Sequence, residues 1–213
     1  MTVSADMSTQ RVALVTGALG SAADAASIGR ALATGFARRG WDVALQRSHG
    51  APHAAADALV AEVAALGRRA IVLDADLALE ADAAGLVAAC GAALGRPACA
   101  VFVSASAGAD DAREHEALRA CAIHVLDQAL FHPAPAQMSH ALMQAALNRA
   151  TSALALALAP KVRVAALVRG HAPHADDIAA AACYLASAPG VTGATLTVDG
   201  GEHLVPPAVG PNE

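Results

Sequence analysis

Aromatic residues are scarce in this sequence, and long apolar runs are missing. Phe, Trp and Tyr make up 2% of the 213 residues, whereas apolar residues in total make up 56%. A core must therefore be built mainly of Ala, Val and Leu. Such small side chains let helices approach a sheet closely, which favours a layered α/β architecture. A chain of this length suits one domain with one continuous core.

Positive charge is also scarce, since the net charge is −5 and no basic cluster occurs. This charge balance argues against nucleic acid or an anionic membrane as a partner. The longest apolar segment, 153–159, is far shorter than the roughly 20 residues of a membrane span, and the N-terminus lacks a signal-peptide pattern. The four cysteines, Cys90, Cys99, Cys121 and Cys183, stand singly among apolar residues. They predict buried free thiols in a reducing cytoplasm.

Strand and helix patterns alternate along almost the whole chain. Short continuous apolar runs are typical of strands buried on both faces, and three of the helical stretches end at a glycine. The predicted strands cover 11–16, 42–46, 70–74, 98–104, 122–126, 162–168 and 195–198, and the predicted helices cover 27–39, 54–66, 80–94, 111–120, 138–158 and 176–187. This alternation predicts a single Rossmann-type domain with a doubly wound parallel sheet of about seven strands, and loose tails at 1–9 and 205–213.

The turn after the first strand contains glycine, and Rossmann folds present backbone N–H groups to a pyrophosphate at this turn. Gly17 and Gly29 have suitable positions for the tight turn and for close packing of helix on strand. Extra residues centred on 22–27 lie between them, where the turn would otherwise pass straight into the helix. The pattern indicates a nucleotide site or an ordinary strand–loop–helix junction, because a glycine pair alone is weak evidence.

Four longer segments carry a family resemblance that covers nearly the whole chain. VALVTGALG with SIGRALATGFARRGWDVAL, then GRRAIVLDADL, and finally DDIAAAACYLASAPGVTGATLTVDGG together resemble the short-chain dehydrogenase/reductase family. The segment IHVLDQALFHPAPAQMSHALMQAAL is similar to the pteridine-reductase and dihydromonapterin-reductase branch, in which an Asp replaces the usual catalytic Ser.

The resemblance implies a catalytic centre and an NADP(H) site, if a cofactor binds at all. Asp127 matches the catalytic Asp of the branch, His140 stands where the family has its catalytic Tyr, and Gln144 stands where it has Lys. The resemblance assigns the cofactor to Gly17, Leu19, Ile28 and Gly29 in the first turn and helix, to Arg47 and Ser48 at the 2′-phosphate, and to Asp76 and Leu77 at the adenine.

The Tyr and Lys of this family are missing from the sequence as a pair. In the enzymes that the chain resembles, the Tyr hydroxyl supplies a proton, while the Lys lowers its pKa from about 10 and holds the nicotinamide ribose. The sequence has one Tyr, Tyr184, and one Lys, Lys161, and the Tyr follows the Lys. No Tyr-x-x-x-Lys motif therefore exists. Histidine titrates near pH 6.5 and can donate a proton without a lysine, although His140 can also be a polar residue without a chemical role.

Other changes fall at the same end of the predicted sheet. The short stretch between the predicted fourth and fifth strands leaves out most of a family helix, and 168–174 lead directly into the helix at 176 without the family's substrate lid. A lid excludes water and commits the substrate, so its loss weakens catalysis. His171 and His174 lack the ligand grouping of a zinc site, so we predict no metal.

Three functions are compatible with this sequence. The leading hypothesis is a catalytically degenerate pteridine-reductase-like protein that acts as a non-catalytic or regulatory subunit. It would form a homo-oligomer, or a hetero-oligomer with an intact paralogue, through the surface at 176–201. The second is an active NADP(H)-dependent reductase of a pterin-like or carbonyl substrate with His140 as proton donor. The third is a cofactor-free ligand-binding module.

Overall fold

Seven short strands form one parallel sheet at the centre of the computed structural model. The structure describes residues 11–17, 19, 23–48, 53–103, 120–171 and 174–205. The strands are β1 (Val12–Thr16), β2 (Asp42–Arg47), β3 (Ala70–Asp74), β4 (Cys99–Phe102), β5 (Ala120–Leu126), β6 (Val162–Arg169) and β7 (Thr195–Val198), and the helices are α1 (Ala23–Arg38), α2 (His53–Ala65), α3 (Glu80–Ala93), α4 (Met138–Leu158) and α5 (Ala175–Ser187).

The strand order is β3-β2-β1-β4-β5-β6-β7, and all neighbouring strands are parallel. This order reverses direction between β1 and β4, as in a doubly wound Rossmann sheet. The predicted fold class is therefore confirmed. Ligands of such sheets bind outside the carboxyl ends of the strands near this reversal.

Helices cover both faces of the sheet. On one face α1, α2 and α5 pack over a large apolar cluster that contains Phe36 and Trp41, whose rings meet edge to face at 5.2 Å. On the other face α3 and α4 cover two smaller clusters. Burial on both faces explains why β1 is apolar except for Thr16 and why the middle of β2, residues 43–45, is apolar. Within the described ranges, no helix combines the length and apolar character that a membrane crossing requires.

Several predicted element boundaries differ from the structure, most of them by one or two residues, and the starts of α1 and β5 are the differences with a clear physical reason. Helix α1 begins at Ala23, before the predicted start at 27, so most of the extra residues at 22–27 form its first turn. The alanine-rich sequence there has a high helix propensity, which explains the earlier start. Ala120, predicted as the end of a helix, is the first residue of β5, because it pairs with Val162 of β6.

Three predictions concern residues that the structure describes only in part or not at all. The rest of the predicted helix, 111–119, lies outside the described residues. So do the tail at 1–9 and most of the tail at 205–213.

Candidate functional site

Asp127 and His140 form a direct contact at the carboxyl end of β5. Asp127 follows β5, and one carboxylate oxygen, Oδ1, accepts a hydrogen bond from the Ala129 N–H at 3.0 Å. Its other oxygen, Oδ2, lies 2.7 Å from Nε2 of His140, in the first turn of α4. An ionised carboxylate only accepts hydrogen bonds, so Nε2 carries the proton of this contact. Both side chains are partly exposed, at 25% for Asp127 and 38% for His140.

Gln144, one helical turn after His140, is turned into the protein. Its relative exposure is 2%, and its Oε1 accepts a hydrogen bond from the backbone N–H of Asp127 at 3.2 Å. The amide therefore fixes the main chain at the end of β5. A family lysine at this position would add a positive charge, whereas the Gln144 amide is neutral and enclosed.

Neither Tyr184 nor Lys161 lies at this end of the sheet. Lys161 immediately precedes β6, so it lies at the amino edge. The eight residues of β6 separate that edge from the carboxyl edge by roughly 25 Å. Tyr184 is in the last turn of α5, and it is 58% exposed. The structure therefore offers no rearranged version of the missing pair among the described residues.

The turn after β1 is held by a buried glutamine that the sequence analysis did not single out. Gly17 has a positive φ of 71°, and its N–H donates to Oε1 of Gln46 at 2.8 Å. The Nε2 of Gln46 donates to the carbonyl of Ala75 at 2.8 Å, so one side chain joins the ends of β1 and β3. The sequence signal that could have identified Gln46 is the presence of a polar residue in a strand that is buried throughout.

The other predicted residues of this turn serve packing in the structure. Ile28 is 3% exposed and belongs to the large apolar cluster, and Leu19 packs against the same cluster. Gly29 is buried within α1. These positions agree with close packing of α1 on the sheet. The neighbouring residues 18 and 20–22 lie outside the described part of the chain.

Arg47 and Ser48 end β2 at the expected edge of the sheet, but the guanidinium of Arg47 is engaged within the protein. Its Nε and Nη2 donate to Asp74 at 2.7 and 2.8 Å, and its Nη1 donates to Nδ1 of His53 at 2.6 Å. Arg47 is 7% exposed, whereas Ser48 is exposed. A 2′-phosphate requires free donors, and each side-chain nitrogen of Arg47 already has a partner within the protein.

Asp76 and Leu77 follow β3 at the same edge. One carboxylate oxygen of Asp76 accepts from the Ala78 N–H at 3.0 Å, while the Asp76 N–H donates to Asp82 at 2.9 Å. Leu77 packs against the apolar cluster beneath α3. The two residues thus shape the start of the β3–α3 connection, close to where the resemblance puts an adenine.

A cavity of about 170 Å³ opens beside the Asp127–His140 contact, between the β5–α4 segment and the end of β6. Its lining includes Asp127, Gln128, His132, Arg169 and His171. The cavity is small, and it offers room for a compact polar molecule next to the Asp127 carboxylate.

Asp199, which follows β7, anchors one wall of this cavity. Gln128 donates to its carboxylate at 2.8 Å, and so do the backbone N–H groups of Gly201 and His203 at 2.9 and 2.8 Å. Burial opposes the charge of Asp199, but these hydrogen bonds, with a further one from the His203 ring, hold its pKa well below the usual range. The Asp199 carboxylate is therefore an ionised acceptor that fixes Gln128.

Histidines are paired with acidic side chains at this edge, but the pairs do not come together around a common point. His171 contacts Glu202, and His203 contacts Asp199. Among the residues that the structure describes, no group of three or more His, Cys, Asp and Glu side chains is arranged to hold a metal ion.

Comparisons with known proteins agree with this architecture. A family model described as short chain dehydrogenase-like protein matches residues 103–198. Comparison with curated proteins gives no significant match.

Solved structures share the fold at low sequence identity. FolM alternative dihydrofolate reductase 1 from Brucella suis, in complex with NADP, is 24% identical with a TM-score of 0.77, and the match covers 92% of this chain and 96% of that one. FolM alternative dihydrofolate reductase 1 from Brucella canis, also complexed with NADP, is 23% identical with a TM-score of 0.77, covering 94% and 98%. Acetoin dehydrogenase YohF from Salmonella typhimurium is 22% identical with a TM-score of 0.78, covering 93% and 99%. The family-model match confirms the resemblance to short-chain dehydrogenase/reductases, and the FolM structures share the fold of this chain.

Proposed function

We propose that this chain is a short-chain dehydrogenase/reductase-like protein of the pteridine-reductase type that has lost efficient hydride transfer and acts as a non-catalytic or regulatory subunit. The observation that carries the proposal is the environment of Gln144. It stands where the resembled enzymes have lysine, it is neutral, and its amide bonds to the main chain at Asp127. No ammonium group therefore supports a proton donor or a ribose at this position.

The size of the deficit follows from electrostatics. Two opposite unit charges 4 Å apart interact by about 4 kcal/mol at an effective dielectric constant near 20. Since each 1.4 kcal/mol changes a rate about tenfold, loss of such a charge next to the reacting group slows catalysis by up to about a thousandfold. His140 can supply the proton that the Tyr of the resembled enzymes supplies. It does not supply the positive charge of their Lys, which holds the cofactor.

The proposal is tested by turnover of the purified chain with NADPH or NADH and a dihydropterin or quinonoid pterin. Ordinary enzymes have kcat values of roughly 1–1000 per second. We expect the wild type to fall well below this range and His140→Ala to share the same background rate. Turnover by the wild type within the ordinary range would refute catalytic degeneracy.

The contact between His140 and Asp127 favours a second candidate, an active NADP(H)-dependent reductase. With Nε2 held by Asp127 at 2.7 Å, the other ring nitrogen, Nδ1, is the atom left to protonate a substrate. This candidate predicts that activity decreases as a histidine loses its proton, and that His140→Ala and Asp127→Asn both abolish turnover. Leu142→Ala, at a residue of α4 that is 63% exposed, is the control. An unchanged rate in His140→Ala would reject this candidate.

The subunit role requires an interface, which we propose at the surface formed by α5 and β7, residues 176–201. Exposed apolar side chains there include Tyr184 at 58% and Leu196 at 39%. We expect light scattering of the pure chain to give the mass of a dimer that Tyr184→Asp dissociates. Leu156→Asp, on α4 at 84% exposure, is the control for an added surface charge. If the pure chain is monomeric, the remaining form of the proposal is a hetero-oligomer with an intact paralogue. Mixing the chain with that paralogue would detect it.

The remaining parts of this proposal concern location and partners. The net charge of −5 and the four free thiols support a cytoplasmic protein without nucleic-acid or membrane partners. A cofactor-free ligand-binding module remains the outcome if no nucleotide binds and no subunit is found. The cavity beside Asp127 is then its binding site.

A further inference from the structure

Two buried polar atoms without a hydrogen-bond partner belong to residues that line one cavity. The cavity is the one of about 170 Å³ beside Asp127. The two atoms are Oε1 of Gln128 and Nε2 of His132, which have no partner within the described part of the chain. Buried polar atoms are hydrogen-bonded in most native structures. Two such atoms on the lining of one cavity therefore indicate a polar ligand.

The orientation of the Gln128 amide is fixed by its nitrogen. Nε2 donates to the Asp199 carboxylate at 2.8 Å and to the carbonyl of Arg169 at 3.4 Å, and both of these partners are acceptors. The amide cannot be turned over without the loss of both hydrogen bonds, so Oε1 is the atom without a partner. Gln128 is 3% exposed. A ligand that pairs with this oxygen must bring a hydrogen-bond donor.

Arg169, the last residue of β6, also lines the cavity. Its guanidinium takes part in no hydrogen bond or ion pair with the residues of the described ranges, whereas each side-chain nitrogen of Arg47 has a partner. The planar fork of an arginine matches the two oxygens of a carboxylate. A carboxylate group on the ligand therefore suits this side of the cavity.

The other charges around the cavity are negative. The two oxygens of Asp127 each accept one hydrogen bond, from the Ala129 N–H and from His140, and a carboxylate oxygen can accept two. Asp199 holds Gln128, and Glu202 accepts from the backbone N–H of His171 on the lining at 2.8 Å. These carboxylates repel an anion with two charges and attract an ammonium group.

We propose that this cavity binds a small amino acid as a zwitterion, with its carboxylate at Arg169 and its ammonium group at Asp127 and Gln128. The small volume, with Ala129 and Ala134 on the lining, restricts the ligand to amino acids with compact side chains. The proposal names the ligand of the cavity in the proposed regulatory subunit, and in that respect it rests on the proposed function. Its test is separate, because binding is measured without turnover, dinucleotide or partner.

The test is calorimetric titration of the full chain with glycine, L-alanine, L-serine and L-threonine. Three further probes each change one property of the ligand. L-Lactate has a hydroxyl in place of the ammonium group, ethylamine lacks the carboxylate, and L-tryptophan has a large side chain. We expect a compact amino acid to bind with a dissociation constant below about 1 mM, and the three probes to bind at least about tenfold more weakly. A rise of the melting temperature with ligand concentration is the second readout.

Two variants separate the two ends of the ligand. Arg169→Leu removes the guanidinium without breaking a side-chain hydrogen bond among the described residues, and it should weaken L-alanine binding at least about tenfold. Asp127→Asn should weaken L-alanine but not L-lactate, a difference that general damage to the cavity would not produce. Arg149→Leu, on the exposed side of α4, is the control and should bind as the wild type does. Circular dichroism establishes that each variant is folded.

Each assignment has a result that would overturn it. If no compact amino acid binds the wild type, the proposal is wrong, while the deficit in turnover is unaffected. Equal affinities for L-alanine and L-lactate would contradict the place of the ammonium group, and an unchanged affinity in Arg169→Leu would contradict the place of the carboxylate. Ordinary turnover of a pterin would refute the proposed function without changing the result of the titration.

Discussion

Replacing Arg163 by Leu should remove a large part of the stability of this fold. Arg163 is in β6 at 7% exposure, and its guanidinium donates to three carbonyls at the end of α5: Leu185 at 2.6 Å, Ala186 at 2.7 Å and Ala188 at 2.9 Å. The last carbonyls of a helix lack partners within the helix, and they form its negative end. The arginine thus fixes α5 to the sheet through a charge-assisted contact.

The magnitude follows from the groups that the substitution leaves behind. Other donors remain for the carbonyls of Leu185 and Ala188, so among the described residues the Ala186 carbonyl is the one left without a donor, which costs about 1–3 kcal/mol. The loss of the two other charge-assisted hydrogen bonds adds about 1.5–3 kcal/mol each. Arg163 Nε is itself buried without a partner among the described residues, and its removal offsets part of this loss. We therefore expect a decrease of about 4 kcal/mol in the free energy of unfolding, out of a typical total of about 5–15 kcal/mol.

Urea unfolding followed by circular dichroism measures this loss directly. With a slope near 2–3 kcal/mol per molar urea, the midpoint of Arg163→Leu should fall by roughly 1.5–2 M. Arg163→Lys should be intermediate, because an ammonium retains the charge but cannot reach the carbonyls as a planar fork. Arg149→Leu on the exposed side of α4 is the control. A loss below about 1 kcal/mol in Arg163→Leu would refute the reasoning.

Three further predictions concern stability and reactivity. The pKa of Asp199 is lowered in the folded state, so its contribution is present above the unfolded pKa near 3.9 and is lost as pH falls towards the lower folded value. Urea titrations should show stability decreasing below about pH 4, and Asp199→Asn should flatten this acid limb. In Gly170→Ala the new Cβ would lie 2.5 Å from Glu202 Oε2 and 3.2 Å from Asp199 Cα. We expect a loss of about 1–3 kcal/mol, whereas Gly91→Ala, with nothing within 4 Å, should be neutral or stabilising; equal effects would contradict the clash. Burial raises the pKa of Cys90 to about 11, so this thiol should react with a disulfide reagent at pH 8 only after unfolding, and fast labelling of the native chain would be the opposite result.

Most of the fold was predictable because local patterns and tertiary structure agree. Strand β3, helix α4 and strand β7 have the predicted bounds, since an apolar run or a helix ended by proline defines each of them locally. The start of β5 was not predictable in this way. Ala120 has a high helix propensity, and pairing with β6 overrides it.

The candidate site was predictable only where the resemblance supplied positions. The resemblance put Asp127 and His140 in one site. The two side chains are in contact in the structure, because a residue at the end of β5 and one in the first turn of α4 meet in this fold. It gave no sign that Gln144 turns inward or that Arg47 is already paired. Both depend on partners distant in sequence, such as Asp74, which no local pattern identifies.

Gln144 and Arg47 lie at different ends of the candidate cleft, yet the protein satisfies both in the same manner. At each position, protein atoms take the hydrogen bonds that a dinucleotide would supply in the resembled enzymes. At these two positions the side chains therefore have partners within the described part of the chain. Asp127 and His140 are the members of the candidate centre whose side chains reach solvent, at 25% and 38% exposure. A carboxylate in contact with an imidazole can move a proton, so these two side chains are the ones to vary when proton transfer at this edge is tested.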